Sequence, residues 1–231
     1  MTQTKAVLLD LFGTVIAYGD VAAGTEASWR GIYGVLADLG CTVPYDEWVP
    51  LWEHGFATPL AAKDDIAETP FLGKMLRLFR ELGLPQDEAA AQKAVHRCLM
   101  GWERHIDLPQ DAIPTLCALR ERYRVALVSN FDHPPYAHDL LARYGLTELF
   151  HHIVISGDIR VDKPDPRIFH HALDALGCEP CEAVFVGDSL DADIAGAQAV
   201  GCRPILIDMA GNHPDYAGER IGTLGELPDL L

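Results

Sequence analysis

The chain is poor in positive charge. Its 18 Lys and Arg stand against 34 Asp and Glu, for a formal net charge of −16 and an isoelectric point near 4.8. Binding to a phosphate backbone needs clustered Lys and Arg, so nucleic acid is not expected as a partner. There is also no uninterrupted apolar run long enough to span a bilayer, and "MTQTKAVLLD" at the start lacks the apolar stretch and small-residue cleavage site of a secretory signal. The expectation is a cytoplasmic protein with no membrane partner. Cysteine is sparse: six are scattered through the chain, and only Cys178 and Cys181 are close, as "CEPC". With no second CxxC to complete a zinc site, and with a helix on one side and a strand on the other, this pair reads as an ordinary connector. No internal repeat and no low-complexity tract occurs.

What the sequence does hold is apolar length in short pieces. About half of its 231 residues are apolar, enough to bury a substantial core in one domain or in one domain carrying an insert. Five runs read as strands: "AVLLD" (6–10), "RVALVS" (124–129), "HIVIS" (152–156), "AVFVGD" (183–188) and "PILID" (204–208). Near-continuous apolar runs of this length belong to strands covered on both faces. Helix-like segments separate the last four. In "DPRIFHHALDALG", Pro164–Asp165–Pro166 give a start signal and Gly177 a stop. Alternating β and α units predict an α/β fold with a doubly wound, Rossmann-like parallel sheet.

More than a hundred residues separate the first two runs, far beyond one crossover helix. From Asp20 to Leu108 the pattern is helical, in four segments punctuated by Gly and Pro. The predicted organisation is an α/β core from 1–17 and 110–231, with a four-helix domain inserted at 18–109. Trp48, Trp52 and Phe56 recur every fourth residue and read as that insert's own core.

Ligands of open α/β sheets gather outside the C-terminal ends of the strands. There the sequence places Asp10, Ser129 with Asn130, Lys163 in "RVDKPDP", and Asp188 with Asp193 in "VGDSLDAD". Each alone is an ordinary cap, turn or solvated residue. Strand order brings all of them to one edge, and that convergence points to a site. His151–His152 and His170–His171 look like metal-ligand pairs, yet adjacent residues on a strand or helix face apart, so solvated surface is expected for them.

The motifs "DLFGTV", "VALVSN", "KPDPRIF" and "FVGDSLDADIAGAQAVG" together resemble the haloacid dehalogenase superfamily, in the branch whose helical cap is inserted between the first and second motifs. The resemblance covers nearly the whole chain. It implies that Asp10 is the nucleophile, that Ser129 and Asn130 hold oxygens of the transferred group, and that Lys163 neutralises charge on nucleophile and substrate. It also implies Mg²⁺, bound by Asp10, the backbone carbonyl of Phe12 and Asp188, with Asp193 binding or orienting it. The physical chemistry agrees: hard oxygen donors suit Mg²⁺, and a carboxylate can attack phosphorus once the phosphoryl charge is screened.

One position departs from the family. Its phosphatases usually carry Asp two residues after the nucleophile, to protonate the leaving oxygen and then activate water. Such catalysis is typically worth ~10²–10⁴ in rate, and Phe12 cannot supply it. Asp132, His133 and Asp20 are the candidate substitutes. The expected function is a Mg²⁺-dependent phosphatase acting on a small anionic phosphate ester through an aspartyl-phosphate at Asp10, as a monomer or homodimer. One alternative is a 2-haloacid dehalogenase, whose relatives carry an aromatic at the Phe12 position and need no leaving-group proton; they resemble "SSN" where this chain has "GDSLDAD". The other is a binding or regulatory protein that keeps the fold without efficient turnover, which the presence of Asp10, Lys163 and Asp188 argues against.

Overall fold

A computed structural model describes residues 3–61 and 67–231. The chain divides into two compact units, Met1–Tyr18 with Asp107–Leu231, and Gly19–Ile106.

The first unit is built on strands β1 (Ala6–Leu9), β4 (Arg124–Ser129), β5 (His152–Ile155), β6 (Ala183–Gly187), β7 (Arg203–Ile207) and β8 (Arg220–Ile221). Two further strands of two residues each, β2 (Ala17–Tyr18) and β3 (Ile106–Asp107), pair with one another. The main sheet has the order β5-β4-β1-β6-β7-β8 with every pairing parallel, which is the α/β architecture expected. All residues of β1 and β6 are buried, as a parallel sheet covered on both faces requires. Leu9 lies opposite both Leu127 and Val186. The residues that follow β1, β4 and β6 therefore emerge at the same edge.

Helices α5 (Ala112–Arg122), α6 (Pro134–Arg143), α7 (Ser156–Ile159), α8 (Pro166–Leu176) and α9 (Gly196–Val200) connect these strands. Helix α8 starts and stops where its sequence signals fall: the Asp165 carboxylate accepts the Arg167 N–H at 2.9 Å, and Gly177 takes the left-handed conformation at φ 61°. Its Ile168, Phe169, Leu173 and Leu176 pack with Val128, Val154 and Phe185 of the sheet. Burying each such side chain contributes roughly 1.5–3 kcal/mol before chain entropy is subtracted.

The second unit holds α1 (Val21–Asp38), α2 (Tyr45–Ala57), α3 (Pro70–Glu81) and α4 (Glu88–Glu103). Asp20, Thr69 and Asp87 cap three of them, each accepting the backbone N–H three residues on. Buried Arg77 donates to the carbonyls of Gly55, Thr58 and Pro59 at the end of α2, where a cation complements the helix dipole. Trp48 and Trp52 are buried and stack at 6.2 Å between ring centres. Phe56 continues the stripe against Trp52 and Phe71 but is 38% exposed, so the stripe is core at two of its three positions. Among the described residues no helix is long and apolar enough to cross a membrane.

Candidate active site

Asp10 is the first residue beyond β1, and its N–H donates to the Val186 carbonyl at 2.9 Å. The chain then turns at once. The N–H groups of Val15 and Ile16 both donate to the Leu11 carbonyl, and that of Gly13 to the Ile16 carbonyl at 2.7 Å. Gly13 has φ 84°, and a Cβ there would lie 2.2 Å from Asp188 Oδ2 and 2.9 Å from Cε2 of Tyr18. Glycine is required both by the backbone conformation and by the carboxylate beside it.

On the neighbouring strand, β6 leads into Gly187, Asp188 and Ser189. The Ser189 hydroxyl accepts the Ala192 N–H at 3.1 Å, and Asp193 Oδ2 accepts the Ser189 N–H at 3.0 Å. These bonds stabilise a π-helical turn over Leu190–Ala195. The turn folds Asp193 back beside Gly187, where a Cβ would lie 2.3 Å from Asp193 Cγ.

Lys163 is buried, with its Nζ donating to Asp10 Oδ1 at 2.6 Å and standing 2.7 Å from Asp193 Oδ1. Asn130 fixes its backbone. The Asn130 Nδ2 donates to the Lys163 carbonyl at 2.9 Å, and its Oδ1 accepts the Lys163 N–H at 2.7 Å. Both polar atoms of that side chain are thus engaged with the main chain of Lys163. Ser129, the last residue of β4, is buried at the same edge.

Carboxylate oxygens of Asp10, Asp188 and Asp193 lie within 4.8 Å of one another. With the Lys163 ammonium as the one ammonium against them among the described residues, the cluster carries about two surplus negative charges when fully ionised. Burial pushes the Asp10 carboxyl well above the usual range; Lys163 opposes this, and Asp193 and Asp188 add to it. Asp188 is raised to about 6, by burial first and then by Asp193. Burial also works against the charge on Lys163, but Asp10 and Asp193 together outweigh it and raise its pKa. An all-oxygen donor set with surplus negative charge fits a hard divalent cation such as Mg²⁺.

Phe12 is 6% exposed. Its ring packs on Phe131 at 5.1 Å, and Phe131 stacks on Tyr136 at 5.8 Å. Of the candidate substitute acids, Asp20 caps α1 through its carboxylate, while Asp132 and His133 lie in the loop before α6. Tyr18 was not foreseen. Its ring edge stands at Gly13, and desolvation with the charges of Asp10, Asp188 and Asp193 keeps its phenol protonated, above its ordinary value. A lone tyrosine in "VIAYGD" carries no pattern that would announce this.

Residues 4–201 match the haloacid dehalogenase-like hydrolase family. The chain belongs to that family, and it is an enzyme of the hydrolase class. It is 32% identical to the phosphoserine phosphatase of Thermus thermophilus, over 96% of this chain and 97% of that one. It is 39% identical over 134 residues to the glyceraldehyde 3-phosphate phosphatase of Methanopyrus kandleri, a match spanning 56% of each chain. Among solved structures, a 2-haloacid dehalogenase from Pseudomonas syringae shares the fold, with a TM-score of 0.73 over 99% of this chain and 98% of that one at 24% identity.

Proposed function

We propose that this protein is a Mg²⁺-dependent phosphatase that hydrolyses a small phosphorylated metabolite through an aspartyl-phosphate at Asp10. The observation that carries the reading is the convergence of Asp10, Asp188 and Asp193 within 4.8 Å, with the Lys163 ammonium 2.6 Å from Asp10. The phosphatase names of its relatives support it.

In this reading an Asp10 oxygen attacks phosphorus, and the bond to the leaving oxygen breaks with its electron pair on that oxygen. Water then attacks the phosphorus of the aspartyl-phosphate, releasing inorganic phosphate and restoring Asp10. Lys163 screens the nucleophile and the transferred group. Ser129 holds a phosphoryl oxygen, and the Asn130 amide acts by fixing the Lys163 backbone rather than by holding substrate. Asp10, Asp188 and the Phe12 carbonyl would hold Mg²⁺, with Asp193 beside it, and the ion when bound neutralises phosphoryl charge. Phe12 gives no proton, so aryl and acyl phosphates, whose leaving oxygens are weakly basic, are hydrolysed faster than alkyl esters. A metal-free dehalogenase would gain nothing from two further carboxylates crowded against its nucleophile.

The test is a turnover screen of aryl phosphates, alkyl phosphates and 2-haloacids, each in Mg²⁺ and in EDTA, with Asp10→Asn as the control. Mg²⁺-dependent phosphate release that Asp10→Asn abolishes is expected. Halide release that persists in EDTA would overturn this reading and establish the dehalogenase.

A further inference from the structure

Two histidines distant in sequence meet where the edge strand β5 is covered by α8. His152 Nε2 lies 3.4 Å from His171 Nδ1, with ring centres 5.4 Å apart and ring planes 20° from parallel. Their sequence neighbours do diverge as adjacent residues must: His151 turns its Nδ1 to accept the Val125 N–H at 3.0 Å. The expectation of plain solvated surface nonetheless fails for His152, which is half-buried against a partner on another element.

A hydrogen bond between the rings accounts poorly for the spacing, since 3.4 Å is beyond the usual donor–acceptor range of about 2.7–3.2 Å. Both distances match those set by two imidazoles ligating one metal ion. A tetrahedral ion about 2.0–2.1 Å from each nitrogen holds the two nitrogens about 3.3 Å apart and the ring centres about 5.2 Å apart. Imidazole nitrogen suits Zn²⁺, Ni²⁺ and Cu²⁺ and is avoided by Mg²⁺. Desolvation and then the neighbouring His171 lower the His152 pKa, which favours the neutral, ligating form. The net charge of −16 draws cations to the surface.

We propose that His152 and His171 form a two-nitrogen site for a borderline transition-metal cation, separate from the carboxylate cluster, with water completing the coordination. His152 pairs with Ala126, three residues before Ser129, so the site lies about 10 Å back along the strands from the edge that carries Asp10. It joins the edge strand to the helix that covers it, and binding there stabilises the folded chain by linkage.

The experiment uses the intact protein in excess Mg²⁺, so that the oxygen ligands are occupied, and titrates NiCl₂, ZnCl₂ and CuCl₂ separately by calorimetry and by thermal unfolding. Saturable binding of one equivalent is expected, with a raised Tm. In His171→Ala, whose exposed side chain can be removed without opening the core, affinity falls by roughly tenfold or more; in His170→Ala it does not. Equal affinity in natural protein and His171→Ala would overturn the proposal, as would the absence of saturable binding of all three ions.

Discussion

Replacing Lys163 with alanine removes the ammonium that, among the described residues, the structure places on three converging carboxylates. Lys163 is 5% exposed, and its Nζ stands 2.6 Å from Asp10 and 2.7 Å from Asp193. Removing one partner of a buried ion pair costs about 3–5 kcal/mol, because the remaining charge stays desolvated and unpaired. The folded-to-unfolded ratio should therefore fall by roughly 10²–10⁴ in EDTA at pH 8. Circular dichroism during urea unfolding is the suitable probe, since all four tryptophans lie in Gly19–Ile106 and their fluorescence would report the other unit. Two conditions should recover part of the loss. Lowering the pH to 5 lets the stranded carboxyls take up protons in the folded state, and Mg²⁺ at pH 8 replaces the missing positive charge. A loss below about 1 kcal/mol in EDTA at pH 8, or a larger loss indifferent to both pH and Mg²⁺, would refute the claim that Lys163 holds these carboxylates together.

Gly13→Ala should weaken Mg²⁺ activation by roughly tenfold or more, because its Cβ would fall 2.2 Å from Asp188 Oδ2 at φ 84°; a Mg²⁺ titration showing natural affinity would remove Asp188 from the cation site. Asn130→Ala deletes two bonds to the Lys163 backbone, each worth about 1 kcal/mol, so kcat should drop by about tenfold or more with KM little changed. A rise in KM alone would mean that the amide holds substrate instead. The third prediction concerns pH. Asp188 is raised to about 6 and Asp10 to about 7, both from 3.8, so the folded apo-protein retains protons that the unfolded chain releases, and this contribution to stability is lost as pH rises from about 4 through 7. In the proposed site Mg²⁺ would bind the ionised carboxylates, so the Tm gain from Mg²⁺ should grow over that window. A gain independent of pH between 5 and 8 would show that other groups bind the ion.

The strands were legible because their burial leaves a plain trace. "AVLLD" and "AVFVGD" carry no polar side chain before their final acid, and the observed β1 and β6 end one residue short of it. Strand β8 left none, since Arg220–Ile221 is too short to form a pattern. The four inserted helices were legible as helical segments punctuated by Gly and Pro; the caps that Asp20, Thr69 and Asp87 place on three of them are seen in the structure. The gathering of Asp10, Ser129 and Asp188 at one edge followed from parallel-strand geometry, since each stands at the end of β1, β4 or β6. What sequence could not show is contact made by loop conformation or across elements: the Asn130 amide on the Lys163 backbone, the π-helical turn that returns Asp193 to Gly187, Tyr18 at Gly13, and His152 against His171.

Phe12 shows how these two kinds of information combine. In the sequence it is a missing acid, which one substitution ought to restore. In the structure its ring is 6% exposed and packed on Phe131, which packs in turn on Tyr136. Such an aromatic pair is worth about 0.5–1.5 kcal/mol beyond the area it buries, and an aspartate would forfeit both contributions. It would also place a fourth carboxylate two residues from Asp10, beside a cluster already more negative than Lys163 can balance. Absence of the acid is therefore tied to the packing of the loop after β4, and the two would have to change together. On the proposed phosphatase reading, the selectivity for weakly basic leaving oxygens predicted above is the counterpart of the same ring contact that excludes the acid.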